Sequence, residues 1–301
     1  MMRKASWILL CVALLGFNAS TFAQERFSTP KEAVEALVAA TKTGDQGAIL
    51  KVLGPEGKPI VSSGDPVADS NIREDFISAY DAKHAIEMEG DGTQTLIIGN
   101  DDWPFPIPLV NEVGEWQFNT KAGLDEILRR RVGRNELSAI QVSLAYVQAQ
   151  NEYASLDPAG HGRGAYAQRI VSSPGKKDGL YWPSAEGEEP SPLGDLAAQA
   201  AVEGYKIKGT PIPYHGYYYR ILTRQGATAP GGAYDYVVKG KMIGGFGLLA
   251  FPADYGNSGI MTFMVNQDGT VFQKDLGDRT EKFARRIETF DPAAGWQKVE
   301  P

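Results

Sequence analysis

The densest collection of side chains suited to chemistry is aromatic: Tyr181 and Trp182, then Tyr214, His215, Tyr217, Tyr218 and Tyr219. Rings with polar tips combine contact area with a hydrogen-bonding handle, which suits recognition of a peptide or glycan better than it suits a reaction. Period-two alternation sends Tyr217, Tyr219 and Ile221 to one face of a strand and Tyr218, Arg220 and Leu222 to the other. One face is expected in a core. The other, with His215 and the Tyr181-Trp182 loop, is expected to line a groove, so the candidate ligand-binding residues are Tyr181, Trp182, His215, Tyr217 and Tyr219. Packing of the same rings into a core is the competing reading.

Other chemistries find little support. His161 and His215 are the only histidines of the second half and lack the i, i+4 spacing of a helical metal motif. Asp157 to Gly164 has the outline of a calcium loop, but Ala159, His161 and Gln168 stand where oxygen ligands are needed. No Gly-x-Ser-x-Gly elbow is present, and turn chemistry explains Ser258 between Asn257 and Gly259. Gly244, Gly245 and Gly247 enter a strand rather than a helix, so they do not form a phosphate loop. Neither metal nor cofactor is expected, and no catalytic residue is nominated; an enzyme built on the first half has only His84 with Asp81 to use.

These residues need elements to hold them, and an address. Arg3 and Lys4, the apolar run Trp7 to Phe17 and the small-residue site Thr21-Phe22-Ala23 form an export signal over residues 1–23. The run is shorter than the roughly 20 residues of a membrane span, and no later segment is a candidate. The expected location is the periplasm or the exterior. Cys11 is the only cysteine of the 301 residues and lies within the signal, so the exported chain is expected to have no thiol. Loss of Arg3 and Lys4 takes the formal charge from −7 to −9, which argues against nucleic acid as a partner.

Residues 24–120 read as helices followed by a small antiparallel sheet. Thr29 caps a helix with Pro30 in its first turn and Glu32 completing a capping box; Asp45 starts a second helix; Asp69 or Ser70 caps a third. Gly90-Asp91-Gly92 turns a hairpin, and Pro104 to Leu109 is an edge strand or extended arm. A short connecting helix is expected over 121–134, ending in Arg129, Arg130, Arg131 and Arg134, which pair with acids. Asn135 to Asp157 then reads as a spine with two apolar faces, Leu137, Ile140, Leu144 and Val147 on one and Val142, Tyr146, Ala149 and Tyr153 on the other. A helix apolar on both sides is expected between two layers. Residues 135–301 continue with a small-residue helix from Leu193 to Glu203, strands at Tyr217–Leu222, Tyr234–Val238, Phe246–Phe251, Ile260–Val265 and Thr270–Lys274, and a last helix from Arg279 to Thr289. The fold class is α+β.

Arg134 to Leu137, Ala149 to Ala154, Gly179 to Pro183, Gly240 to Phe246, and Tyr255 to Gly259 with Thr262-Phe263 resemble an exported bacterial family known as domain of unknown function 2950. That resemblance implies no activity. Residues 27–118 resemble the cone-shaped nuclear transport factor-like domains, which often hold a pocket. The spine and the strands after it distantly resemble the heads of type IV pilins and pseudopilins. The function expected is a non-enzymatic binding or scaffolding protein of the cell envelope, its partner an envelope protein, peptide or glycan. The alternatives are a small-molecule isomerase or hydrolase using a cone pocket, and an accessory protein of pilus or secretion machinery.

Overall fold

The Thr29 hydroxyl accepts from the Glu32 N–H at 3.2 Å and starts α1 (Pro30–Thr43), with Pro30 where no N–H is needed. Glu32 accepts in turn from the Ser28 N–H, one residue earlier than a standard capping box. Asp45 caps α2 (Gln46–Leu53), and the stretch expected as a loop winds into a turn of 3-10 helix (Pro55–Gly57) and α3 (Lys58–Val61). The computed structural model describes residues 23–185, 187–206, 212–293 and 295–300; the expected signal before Ala23, with Cys11, lies outside them. The third expected helix, α4 (Pro66–Ala82), starts earlier than either nominated cap because Asp65 and Pro66 together make the stronger start. Asp69, freed from capping, is buried and accepts from the Ser63 N–H instead.

A five-stranded antiparallel sheet closes this first lobe. Its path is β1 (His84–Met88), β2 (Gln94–Ile98), β4 (Leu109–Glu112) and β5 (Glu115–Phe118), with β3 (Trp103–Pro104) beside β2. Val34, Leu37, Leu96, Ile107, Leu109 and Phe118 meet in its core.

The connecting helix and the spine are one element, α5 (Thr120–Leu156), 37 residues long, or about 55 Å at 1.5 Å per residue. Its two halves serve different lobes. Thr120 donates to the Leu53 carbonyl and Arg131 reaches Pro59 and Ile60 in the first lobe, whereas Tyr146, Ala149 and Tyr153 join the second core. The expected two-faced burial is corrected here. Leu137 and Leu144 are 63% and 41% exposed, and the buried stripe runs through Ala139, Ser143, Tyr146, Gln150 and Tyr153. The helix is shared along its length, not around its circumference. Polar members of the buried stripe are admissible because they are satisfied: Gln150 bonds the Tyr146 hydroxyl and both backbone groups of Ala167.

Gly123 fixes how close α5 comes to the first sheet. A Cβ there would lie 2.4 Å from the Pro106 carbonyl oxygen. Gly123→Ala gains about 1 kcal/mol of helix propensity, but overlap with backbone costs about 1–3 kcal/mol and backbone cannot rotate aside. The expected result is a net loss of about 1–2 kcal/mol in urea unfolding; a gain would show that α5 sits farther out.

The second lobe is built on an antiparallel sheet ordered β14 (Gln297–Lys298), β13 (Phe272–Asp275), β12 (Met261–Asn266), β11 (Gly247–Pro252) and β6 (Tyr217–Leu222). The helix expected from Leu193 is α6 (Gly194–Val202). The single strand expected at Tyr234–Val238 is divided between two ribbons, β7 (Arg224–Gln225) with β8 (Tyr234–Asp235) and β9 (Val237–Val238) with β10 (Lys241–Met242). The last helix is only α7 (Thr280–Ala284). Beyond it the Arg220 guanidinium satisfies the carbonyls of Ala284, Arg285 and Ile287, at the end where an α-helix leaves its last carbonyls without α-helical partners.

Candidate functional site

A cavity of about 540 Å³ lies where α5, α6 and the free edge of the second sheet meet. Val142 and Tyr146 form its α5 wall, and Leu196, Ala197 and Ala200 its α6 wall. Ile170, Val171 and Tyr181 come from the irregular strap between these helices, held by a parallel bridge between Val171 and Tyr181. Tyr218 and Tyr219 of β6 and Leu248 of β11 complete the sheet side, and Tyr205, Lys206 and Tyr214 stand at one end. A volume of this size, mostly apolar with a few polar tips, suits a small ligand or a large side chain.

Burial holds the Tyr146 and Tyr219 hydroxyls well above the ordinary tyrosine range. Tyr214 is pushed up to about 12, by burial first and the nearby Glu203 carboxylate second. Tyr205 is raised by burial and then by Asp65, to which its hydroxyl donates at 2.8 Å. These phenols therefore stay protonated at physiological pH. The Tyr219 hydroxyl, although buried, has no hydrogen-bond partner among the described residues.

The end near Tyr205 is braced from the first lobe. Asp65 is 1% exposed and divides its oxygens: Oδ1 caps α4 through the N–H groups of Val67 and Ala68, and Oδ2 accepts from Tyr205 and from the Gly216 N–H at 2.9 Å. His215, in the left-handed region at φ 49°, stacks on Tyr214 at 4.1 Å between centroids, with Nε2 2.6 Å from Glu203 Oε2. Glu203 is tied to α4 as well, through Asn71 and its own carbonyl.

Of the five residues nominated from sequence, Tyr181 and Tyr219 line the cavity and His215 braces it from behind. Trp182 is 6% exposed within the core, and Tyr217 is fully buried with its hydroxyl donating to the Met261 carbonyl. The cavity lies at the edge of β6, where successive residues Tyr218 and Tyr219 both line it. Residues missed are Tyr146, Tyr205 and the α6 wall; the only sequence signal for the last was its run of small residues, which allows a helix to lie close.

The nominated pair of the first lobe is not joined. His84 stacks on Tyr80 at 3.9 Å and bonds its carbonyl, while Asp81 pairs with Lys42. Asp157 spends its carboxylate on the N–H groups of His161 and Gly162. Among the described residues no cluster of His, Cys, Asp or Glu is arranged to hold a metal ion, and no helix is long and apolar enough to cross a membrane. Arg129 and Arg130 share Glu126 at the surface.

A family model described as "Protein of unknown function (DUF2950)" matches residues 24–299, so the chain belongs to that family. No curated protein and no solved structure matches it.

Proposed function

With membership of a family that has no assigned activity as the premise, we propose that this chain is an exported binding protein of the cell envelope, taking an apolar group of its partner into the tyrosine-lined cavity. The observation that carries the reading is the composition of the wall. Aliphatic side chains and protonated tyrosines surround about 540 Å³ of space, with the single charge of Lys206 at one end. Such a surface offers dispersion contact, ring stacking and neutral hydrogen bonds. Residues 1–23 support delivery across a membrane: a basic start, an apolar run and a small-residue cleavage site.

The test is titration with 8-anilinonaphthalene-1-sulfonate, an anionic, apolar fluorophore of suitable size. One site per chain is expected, with emission rising as the dye leaves water. Ala200→Phe, which puts a ring into the cavity from α6, is expected to weaken dye binding about tenfold or more with the circular dichroism spectrum unchanged. Equal dye binding by both proteins would remove the cavity from consideration.

A further inference from the structure

Among the described residues, β6 ends the second sheet and has β11 as its one strand partner. In an antiparallel ladder, successive residues turn their N–H and C=O groups alternately toward the partner strand and away from it. The phase of β6 is fixed at its start. The Ala253 N–H bonds the Gly216 carbonyl at 2.9 Å across the register pair Tyr217–Pro252, which makes that pair the non-hydrogen-bonded kind. Tyr217 accordingly turns both backbone groups outward, where they exchange bonds with Tyr214. Counting on by twos, Tyr219 and Ile221 also aim N–H and C=O off the edge of the sheet. At Thr223 the outward carbonyl has a partner again, the Tyr236 N–H at 2.8 Å. Between those two covered positions, no backbone bond to Tyr219 or Ile221 forms among the described residues. The edge has a window with room for up to four main-chain bonds.

The cavity lies beside the strand at that window, since Tyr218 and Tyr219 both line it. Resting on the reading of the cavity as a binding compartment, we infer that the partner is an extended polypeptide segment, which adds to β6 as a further strand and places one large apolar side chain in the cavity. Main-chain bonds at an open edge give affinity whatever the sequence, and a pocket beside the edge selects one side chain of the segment. A compact apolar molecule would fill the cavity and leave the window unpaired. A glycan lacks the regular alternation of donor and acceptor that Tyr219 and Ile221 present. Lys206 at the rim disfavours a basic residue beside the anchor.

Amide hydrogen exchange resolved by NMR tests this in two stages. In the free protein, Tyr219 and Ile221 are expected to exchange at least tenfold faster than Tyr218, Arg220 and Leu222; equal protection would mean the edge is already covered, and the inference fails. Blocked pentapeptides Thr-Val-X-Val-Thr, with X phenylalanine, tyrosine, leucine, isoleucine or glycine, are then added. At least one large apolar X is expected to slow exchange at Tyr219 and Ile221 tenfold or more, with the glycine peptide inactive. N-methylation of the amides on either side of X is expected to abolish this. Ile221→Pro, which removes an outward N–H without touching the bonds to β11, is expected to lose the peptide and keep the fluorophore. Failure of every peptide to protect these two amides, or undiminished binding of the N-methylated form, overturns strand addition, while fluorophore binding separately reports whether the cavity reading stands.

Discussion

Arg131→Leu is expected to lower the free energy of unfolding by about 3–5 kcal/mol, because three buried neutral acceptors lose a charged donor. Arg131 is 4% exposed at the middle of α5. Its guanidinium donates to the carbonyls of Pro59 and Ile60 in the first lobe and to the Asn257 side chain in the second. Asn257 completes the link by donating to the Ser62 carbonyl and to Asp254. Leucine fills much of the same space, so packing is only a minor part of the loss. The greater part comes from three acceptors left dry, at about 1–3 kcal/mol for each that water cannot reach. Arg131→Lys keeps the charge and is still expected to be destabilised, because one ammonium cannot reproduce a planar fork spanning two lobes. Urea unfolding followed by both tryptophan fluorescence and circular dichroism checks it. Two separated transitions in Arg131→Leu would mark the lobes losing each other; a midpoint equal to wild type would mean the guanidinium bonds contribute nothing net.

The second large effect is expected at Asp65. Asp65→Ala removes a helix cap, worth about 0.5–2 kcal/mol, and orphans the Tyr205 hydroxyl and the Gly216 N–H, worth about 1–3 kcal/mol for each buried group. A total loss of about 3–8 kcal/mol follows. A second readout separates position from stability: since Tyr205 lines the cavity, fluorophore affinity is expected to fall about tenfold at temperatures where the variant is still folded. Asp65→Asn keeps one carbonyl oxygen and should sit between alanine and wild type in both measurements. Unchanged affinity in a folded Asp65→Ala protein would dissociate the first lobe from the cavity.

What the sequence made legible was local. Thr29 and Asp45 announce helix starts because a side-chain oxygen needs only its own next residues to cap, and Gly90-Asp91-Gly92 announces a hairpin for the same reason. The spine reads as a helix, and of its two expected apolar faces the one through Tyr146, Ala149 and Tyr153 is buried while Leu137 and Leu144 of the other are exposed. Apolar periodicity selected Leu137 and Leu144, whereas the protein buries Ser143 and Gln150, whose partners at Ala139 and Ala167 satisfy them. Arg131 stood in a run of arginines, two of which do pair with Glu126 at the surface, and nothing nearby distinguishes the one whose partner lies 126 residues away. Tyr181, Tyr214, Tyr218 and Tyr219 gather around one cavity, yet alternation cannot tell an edge strand from an inner one. That ambiguity put Tyr217 in the nominated site when it belongs to the core, and left Tyr205, braced by Asp65, unnoticed.

The continuity of α5 across both lobes bears on the order in which the molecule is assembled as it emerges from a ribosome or a translocation channel. Its leading half meets the 3-10 turn and α3, which are made before it, whereas its trailing half must wait for β11 and β12, about a hundred residues later. Until they arrive, the stripe from Ala139 to Tyr153 is naked, and its contacts with β11 and β12 join segments about a hundred residues apart, which meet slowly. Holdases that shelter apolar helices should thus engage nascent chains ending near α6 and let go of chains that extend past β12.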